Sequence, residues 1–482
     1  MSNGTLPSYL SMAKPNPPAN RVPWYKSTAP TYAGIFLWFV FWQDAPTGGG
    51  NTPGGIATLP GGVLSQGIGV ALLGLIVAAI ICHALFYLVP GLLGMKTGLP
   101  LYVVGSSTYG TQGGFILPGF VMGLLQFGWL GVNAYFSSLL LAGALGGNPV
   151  LQSVIAVVWA ALAAFVGLKG IQYVAKVATF LPLIPLVILL VLLFKTMGSI
   201  GDFDPQPVIT AVQANNQKLM AEDPKLVLPT APLNTFGIVA LLLTYVVGFF
   251  ATAGAAGVDF GMSNRDEKDV QMGGLVGIAL AIIVTGGIAI LVAAGAQAGT
   301  SGVDPTVLRP TGLMSTVMGS EGAGKVMMFL LALAAFPPAC FSSFIAANSF
   351  KTTLPKVNPF LSVGIGTAVS VLLAVTGWAG KVIDVFTIIG ASFGPICGAM
   401  LVDYFLSGRN WAGPRRGWNM AGWISWAVGF IVGIAPLVGI ANVPAAPLVA
   451  FIVGAVLYFI LAKAGLQPPA VDMPGVSPKP PA

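Results

Sequence analysis

Hydrophobic and polar positions in this chain are sorted on the scale of whole helices, not of single turns or strand pleats. Apolar blocks of about 20 residues or more recur from one end to the other, divided by short polar stretches rich in Gly and Pro. They fall near 31–57, 63–93, 115–144, 149–168, 171–197, 234–258, 273–298, 324–349, 358–377, 383–406, 419–440 and 443–465. Such a block matches the hydrocarbon thickness of a bilayer, where backbone groups must satisfy one another, so each is expected to be a spanning α-helix. The pattern predicts an all-α integral membrane protein of about 12 transmembrane helices.

Composition strengthens this reading. Charged residues make up only 7% of the 482 and hydrophobic residues 56%, whereas a soluble domain keeps roughly a quarter of its residues charged. Charge also orients the chain, because basic residues are held back on the cytoplasmic side during insertion. With both termini cytoplasmic, the inner loops and tails hold fifteen of the 21 basic residues, leaving Lys195, Lys218, Lys225, Arg309, Lys325 and Lys381 outside. The net charge of +7 is then an insertion signal, and no nucleic acid partner is implied. Localisation in the plasma or inner membrane follows as the expectation. The first thirty residues lack an apolar stretch behind a basic start, so no cleaved signal peptide is expected. Both tails read as disordered ends or docking points.

Little in the chain supports enzymatic chemistry. Cys82, Cys340 and Cys397 lie inside apolar runs, and the single histidine, His83, has no carboxylate or thiol at ligand spacing. Neither a metal site nor a cofactor is expected, and the chain does not read as an enzyme.

Two spans are interrupted. The first runs from Phe36 to Trp42 and then meets Gln43-Asp44-Ala45-Pro46-Thr47-Gly48, which no continuous helix would carry. The sixth strings Gly248, Gly254 and Gly257 through an otherwise good helix, which lowers helix propensity or permits close packing. Interruptions five spans apart point to an inverted-repeat transporter with its site at midplane, the LeuT-like five-plus-five fold with helices 1 and 6 broken. The expected organisation is a tail over 1–30, five-helix repeats over 31–197 and 234–406, two additional helices over 419–465, and a tail over 466–482.

The third span places Gln126, Trp129, Asn133 and Ser137 at i, i+3, i+7 and i+11, one polar stripe on an apolar helix. Buried amides need partners, either on neighbouring helices or on a polar ligand. An indole between two amides suits a planar heterocycle.

The run Gly94-Met95-Lys96-Thr97-Gly98-Leu99-Pro100, then Tyr109-Gly110, Leu117-Pro118 and Gln126-Phe127-Gly128-Trp129-Leu130-Gly131, resembles the second and third spans of the nucleobase:cation symporter family, which includes the cytosine and hydantoin permeases. Asp259-Phe260 resembles that family's Asp-Phe pair, and Pro395, Gly398, Asp403 and Tyr404 resemble the end of its tenth span. The resemblance implies alternating access and a small nucleobase-like ligand held between rings of the third and sixth spans, which by position are Trp129 and Phe250. It also implies ligand contacts from Gln126, Asn133 and Gln43.

The departures concern the coupling ion, H+ or Na+. Pro337 and Pro338 stand where the family carries sodium-binding hydroxyls, leaving Ser342 and Ser343 only after a register shift. Asp44 and Thr47 at the first-span break are the other candidates, Asp44 as a proton-exchanging carboxylate, a helix cap or a vestibule residue. Ser106 replaces a family arginine, and Gly261-Met262 follow Asp-Phe where another is usual. Asp259 and Asp403 are expected to be structural or gating, hydrated or paired with Arg265 or Arg409, and the cluster from Arg265 to Asp269 reads as a solvated loop. The expected function is a cation-coupled importer of cytosine, a purine or a hydantoin. Rival readings are a same-fold amine or amino-acid carrier using Asp44, and a channel or non-transporting membrane subunit.

Overall fold

The computed structural model describes residues 6–37, 43–46, 59–169, 181, 183–299, 304 and 307–473. Thr47 and Gly48 of the first-span interruption and part of the expected fifth span lie outside these residues. Nine described helices are long and apolar enough to cross a membrane: Ile68–Thr97, Ile116–Ala144, Pro149–Lys169, Leu183–Asp202, Thr235–Ala255, Glu267–Gly299, Glu321–Thr353, Val382–Leu406 and Ala446–Lys463. These are spans two to eight, ten and twelve of the sequence pattern. The shorter apolar helices Pro359–Val375 and Met420–Ile434 supply spans nine and eleven, and Thr28–Phe36 begins span one. The protein is a multi-pass membrane protein, and its exterior carries large apolar side chains such as Phe165, Ile365 and Leu372, which a lipid solvent favours.

Helix starts follow local chemistry. Asn234 accepts the Gly237 N–H at 2.8 Å to begin span six, and Asn358 accepts that of Phe360 at 2.9 Å, with Pro359 in the first helical position of span nine. Asp266 caps span seven through the Asp269 N–H at 2.8 Å. The segment from Arg265 to Asp269, expected to be solvated, is therefore partly structural: Asp269 is buried and takes Arg265 Nε at 2.7 Å.

The helices assemble as two groups of four. Spans one, two, six and seven pack on one another, and spans three, four, eight and nine do the same. Span five lies against span seven, while span ten joins span six to the pair formed by spans eleven and twelve. Each group therefore takes two helices from each repeat, the arrangement expected of five-plus-five symmetry. Local irregularities repeat as well: spans two and seven each contain a π-helical turn, Cys82–Tyr87 and Leu275–Leu280, and these turns touch.

Span one turns at Ala45-Pro46, where the Pro46 carbonyl accepts the Val63 N–H at 3.1 Å. Span six breaks at the end of its glycine-bearing run. Its helix continues through Gly248 and Gly254 to Ala255, turns at Ala256 and resumes over Gly257–Gly261. Gly248 serves close packing: a Cβ there would collide with the Phe386 carbonyl of span ten, so only glycine lets the two backbones meet.

Both tails differ from their expected disorder wherever they are described. On the face that holds the termini, Asn16 bonds the Gly98 carbonyl at 2.8 Å and the Met262 carbonyl at 2.9 Å. Arg21 Nη1 donates to Met95 O at 2.8 Å, and Tyr9 OH to Thr111 O at 2.8 Å. At the other end, Val471 N donates to Pro414 O at 2.7 Å, and Met473 is buried. Backbone groups exposed where helices two, six and ten end accept these segments, a tertiary complementarity that residue composition does not record.

Candidate functional site

Trp129 projects from the middle of span three into the seam between the two four-helix groups. Its ring lies 5.1 Å from that of Phe249 in an edge-on arrangement and 5.4 Å from that of Phe386. Its Nε1–H donates to Thr252 Oγ1 at 3.2 Å. Phe249 and Phe386 are 5.5 Å apart, and Tyr245 meets Phe386 at 5.1 Å. Phe36 of span one stands 5.8 Å from Phe249, so rings from spans one, three, six and ten share one cluster. Edge-on and tilted contacts of this kind are favoured by the ring quadrupole. The cluster is closed on itself, with Trp129 9% exposed and Phe249 3%, so a flat ligand enters it only when the rings part.

The ring that meets Trp129 is thus Phe249 and not the expected Phe250. Consecutive helical residues point about 100° apart. Phe250 accordingly faces span one, 5.7 Å from both Tyr32 and Phe36.

The polar stripe divides in two. Asn133 is committed to structure: its Nδ2 donates to Ala335 O at 2.9 Å, and its Oδ1 accepts Trp159 Nε1 at 2.9 Å and Ser137 Oγ at 3.2 Å. It ties spans three and four to the turn in span eight, where Pro337 and Pro338 interrupt helical bonding. Among the described residues Gln126 makes a long contact, Nε2 to Met122 Sδ at 3.6 Å, which leaves most of its capacity. At the span-one break Gln43 is 2% exposed, and its Oε1 has no hydrogen-bond partner among the described residues. A buried amide oxygen left in that state is suited to a ligand donor.

Asp44 is fully buried and ion-paired: its Oδ1 lies 2.6 Å from Arg309 Nε. Sequence reasoning missed Arg309. The available signal was its being the one arginine among the six basic residues assigned to the outer loops, set between apolar Leu308 and Pro310.

The span-eight hydroxyls sit elsewhere. Ser343 Oγ donates to Ala339 O at 3.3 Å, and its Cβ lies against Gly167 of span four, while Ser342 is half-buried. Thr47 lies outside the described residues. Asp259 accepts the Leu101 N–H at 3.0 Å, and Asp403 accepts Arg415 Nη2 and Tyr458 OH, each at 2.9 Å. Their expected partners are engaged differently, Arg265 with Asp269 and Arg409 through its carbonyl with Lys96. A cavity of about 440 Å³ also exists, but apolar Leu124, Leu125, Ile365 and Ile389 line it behind span ten, where no polar ring edge would be read.

No protein-family model and no curated protein sequence matches this chain. The fold is similar to that of Mhp1, a nucleobase-cation-symport-1 family transporter. A closed form of Mhp1 with bromovinylhydantoin bound shares 15% identity over 95% of each chain, with a TM-score of 0.63. An inward-facing form shares 15% identity over 95% of this chain and 96% of that one, with a TM-score of 0.65. The substrate-bound, outward-open state of a Na+-coupled sialic acid symporter shares 14% over 94% of this chain and 92% of that one, with a TM-score of 0.59. The chain has the five-plus-five LeuT-like fold of these transporters.

Proposed function

We propose that this chain, built on the fold of such symporters, is a secondary active transporter importing a planar nitrogen heterocycle such as cytosine, a purine or a hydantoin. The observation that carries the reading is the Trp129–Phe249–Phe386 cluster, placed where two four-helix groups meet beside two helix breaks. Rocking of one group against the other would part these rings, and a flat ligand would replace ring–ring contact with ring–ligand stacking at little loss. Gln43 and Gln126 retain polar capacity for the ligand's edge. The hydantoin bound by the structurally similar Mhp1 supports the same substrate class.

Coupling to protons fits these side chains better than coupling to sodium. Prolines occupy the expected hydroxyl positions, and Ser343 is bonded within its own helix, whereas Asp44 is a carboxylate at a break. An amine carrier using Asp44 is disfavoured by the same pair, because Arg309 already occupies the carboxylate.

The test is thermal unfolding of the purified chain against nucleobases, hydantoins and amines, with and without sodium. A heterocycle is expected to raise the melting temperature independently of sodium. Trp129→Ala should weaken that binding about ten-fold or more, the loss of one to two stacking contacts. Stabilisation by amines alone would refute the reading.

A further inference from the structure

We propose that the groove behind span ten is a binding site for one anionic phospholipid, with an acyl chain along span nine and the phosphate at Lys351 and Lys356. Three helices make the groove: Leu124 and Phe127 come from span three, Ile365 and Leu373 from span nine, Val385 and Ile389 from span ten. Glycine creates the space. A Cβ on Gly128, which lines the groove, would meet nothing within 4 Å, and Gly366 lets the Phe127 ring press against span nine. Leu124, Leu361 and Ile365 are exposed, so the groove opens toward lipid. An apolar groove open to a bilayer fills with hydrocarbon, because water there forfeits hydrogen bonds and empty space forfeits dispersion contacts. Its dimensions suit a single chain. A helix about 10 Å across is too wide for a cavity of about 440 Å³. The stretch from Leu361 to Leu373 rises about 18 Å, close to the about 15 Å of hydrocarbon in one leaflet.

Charge at one end selects the head group. Phe350, Leu354 and Val357 line that end, and Lys351 and Lys356 are their neighbours in the chain. The Leu354 N–H donates to Phe350 O at 2.7 Å and the Val357 N–H to Leu354 O at 2.9 Å, which sets both lysines on one turn. Both are exposed, and neither makes an ion pair among the described residues. The chain has no acidic residue between Glu321 and Asp384, so nothing nearby in sequence offsets their charge. The turn lies on the face that holds the termini: Gly119 packs against both Thr353 and Tyr102, and the Tyr102 ring is 6.2 Å from that of Tyr9. Two such cations at the end of an apolar groove match a lipid whose head carries net negative charge, and lysine stems can lie along hydrocarbon while the ammonium groups reach the phosphate. Val385 adjoins Phe386, whose ring is 5.4 Å from that of Trp129, so a chain held here joins span ten to spans three and nine beside the aromatic cluster.

The experiment is native mass spectrometry of the full chain in detergent, titrated with phosphatidylglycerol, with phosphatidylcholine of the same acyl chains, and with glycerophosphoglycerol, the head group without chains. Phosphatidylglycerol is expected to bind about ten-fold or more tightly than phosphatidylcholine, from two lysines at a lipid surface, and the head group alone should not bind. Lys351→Gln combined with Lys356→Gln, at two exposed positions, should bring phosphatidylglycerol down to the affinity of phosphatidylcholine. Gly128→Leu fills the groove from a position with open space and should weaken both lipids about ten-fold or more through lost methylene burial. Thermal unfolding checks that each variant is folded, and the lysine variant keeps the inference falsifiable should Gly128→Leu fail that check. Equal binding of the two lipids overturns the inference, as does a preference that survives loss of both lysines. Unchanged lipid binding in folded Gly128→Leu, or binding of the head group alone, overturns it too.

Discussion

Arg309→Met will lower the unfolding free energy by about 3–5 kcal/mol, and adding Asp44→Asn will restore most of that loss. The single variant leaves the Asp44 carboxylate buried without the guanidinium that now lies 2.6 Å away. The double variant removes the charge that made the vacated position costly, and replacing a buried ion pair by neutral groups is often close to neutral overall. Denaturant or thermal unfolding in detergent measures both. If the double variant is as unstable as the single one, the loss comes from packing around Arg309, and the pair does not govern the stability of this layer.

Asp403→Leu will cost a similar amount, about 3–5 kcal/mol, and will detach the C-terminal segment. Asp403 Oδ1 takes Arg415 Nη2 and Tyr458 OH at 2.9 Å, with Gln467 Nε2 at 3.5 Å, so one carboxylate joins span ten, span twelve and the segment that follows it. Arg415 Nε also holds the Ser107 carbonyl at 2.9 Å. Removing the carboxylate strands a guanidinium that is 12% exposed beside a buried tyrosine. Hydrogen exchange over residues 466–473 should rise together with the fall in stability. Lost stability with unchanged protection of that segment would separate the carboxylate from the tail.

The number and type of elements were legible because each span partitions between water and lipid on its own account, so hydropathy along the chain suffices. The first-span break was legible for a related reason: Gln43, Asp44, Pro46 and three glycines in a row contradict a helix locally. In span six the glycine run held the break, at Ala256, while Gly248 within the same run meets the Phe386 carbonyl of a helix far along the chain. Trp129 was singled out by its stripe, and the ring it touches in the folded chain is Phe249, the neighbour of the Phe250 named from sequence.

Asn133 illustrates the limit of reading polar residues singly. A buried amide must be satisfied, and sequence leaves open whether protein or ligand does so; in the folded chain the Ala335 carbonyl and the indole of Trp159 bond it. Sequence by itself determined the membrane class, the helix count and the paired interruptions, all properties of short segments in a known solvent. Tertiary structure alone decided which charges and rings meet: Arg309 with Asp44, Arg415 with Asp403, Phe249 with Trp129. Such pairs join residues distant in sequence, and their energies depend on burial and orientation that no local pattern encodes.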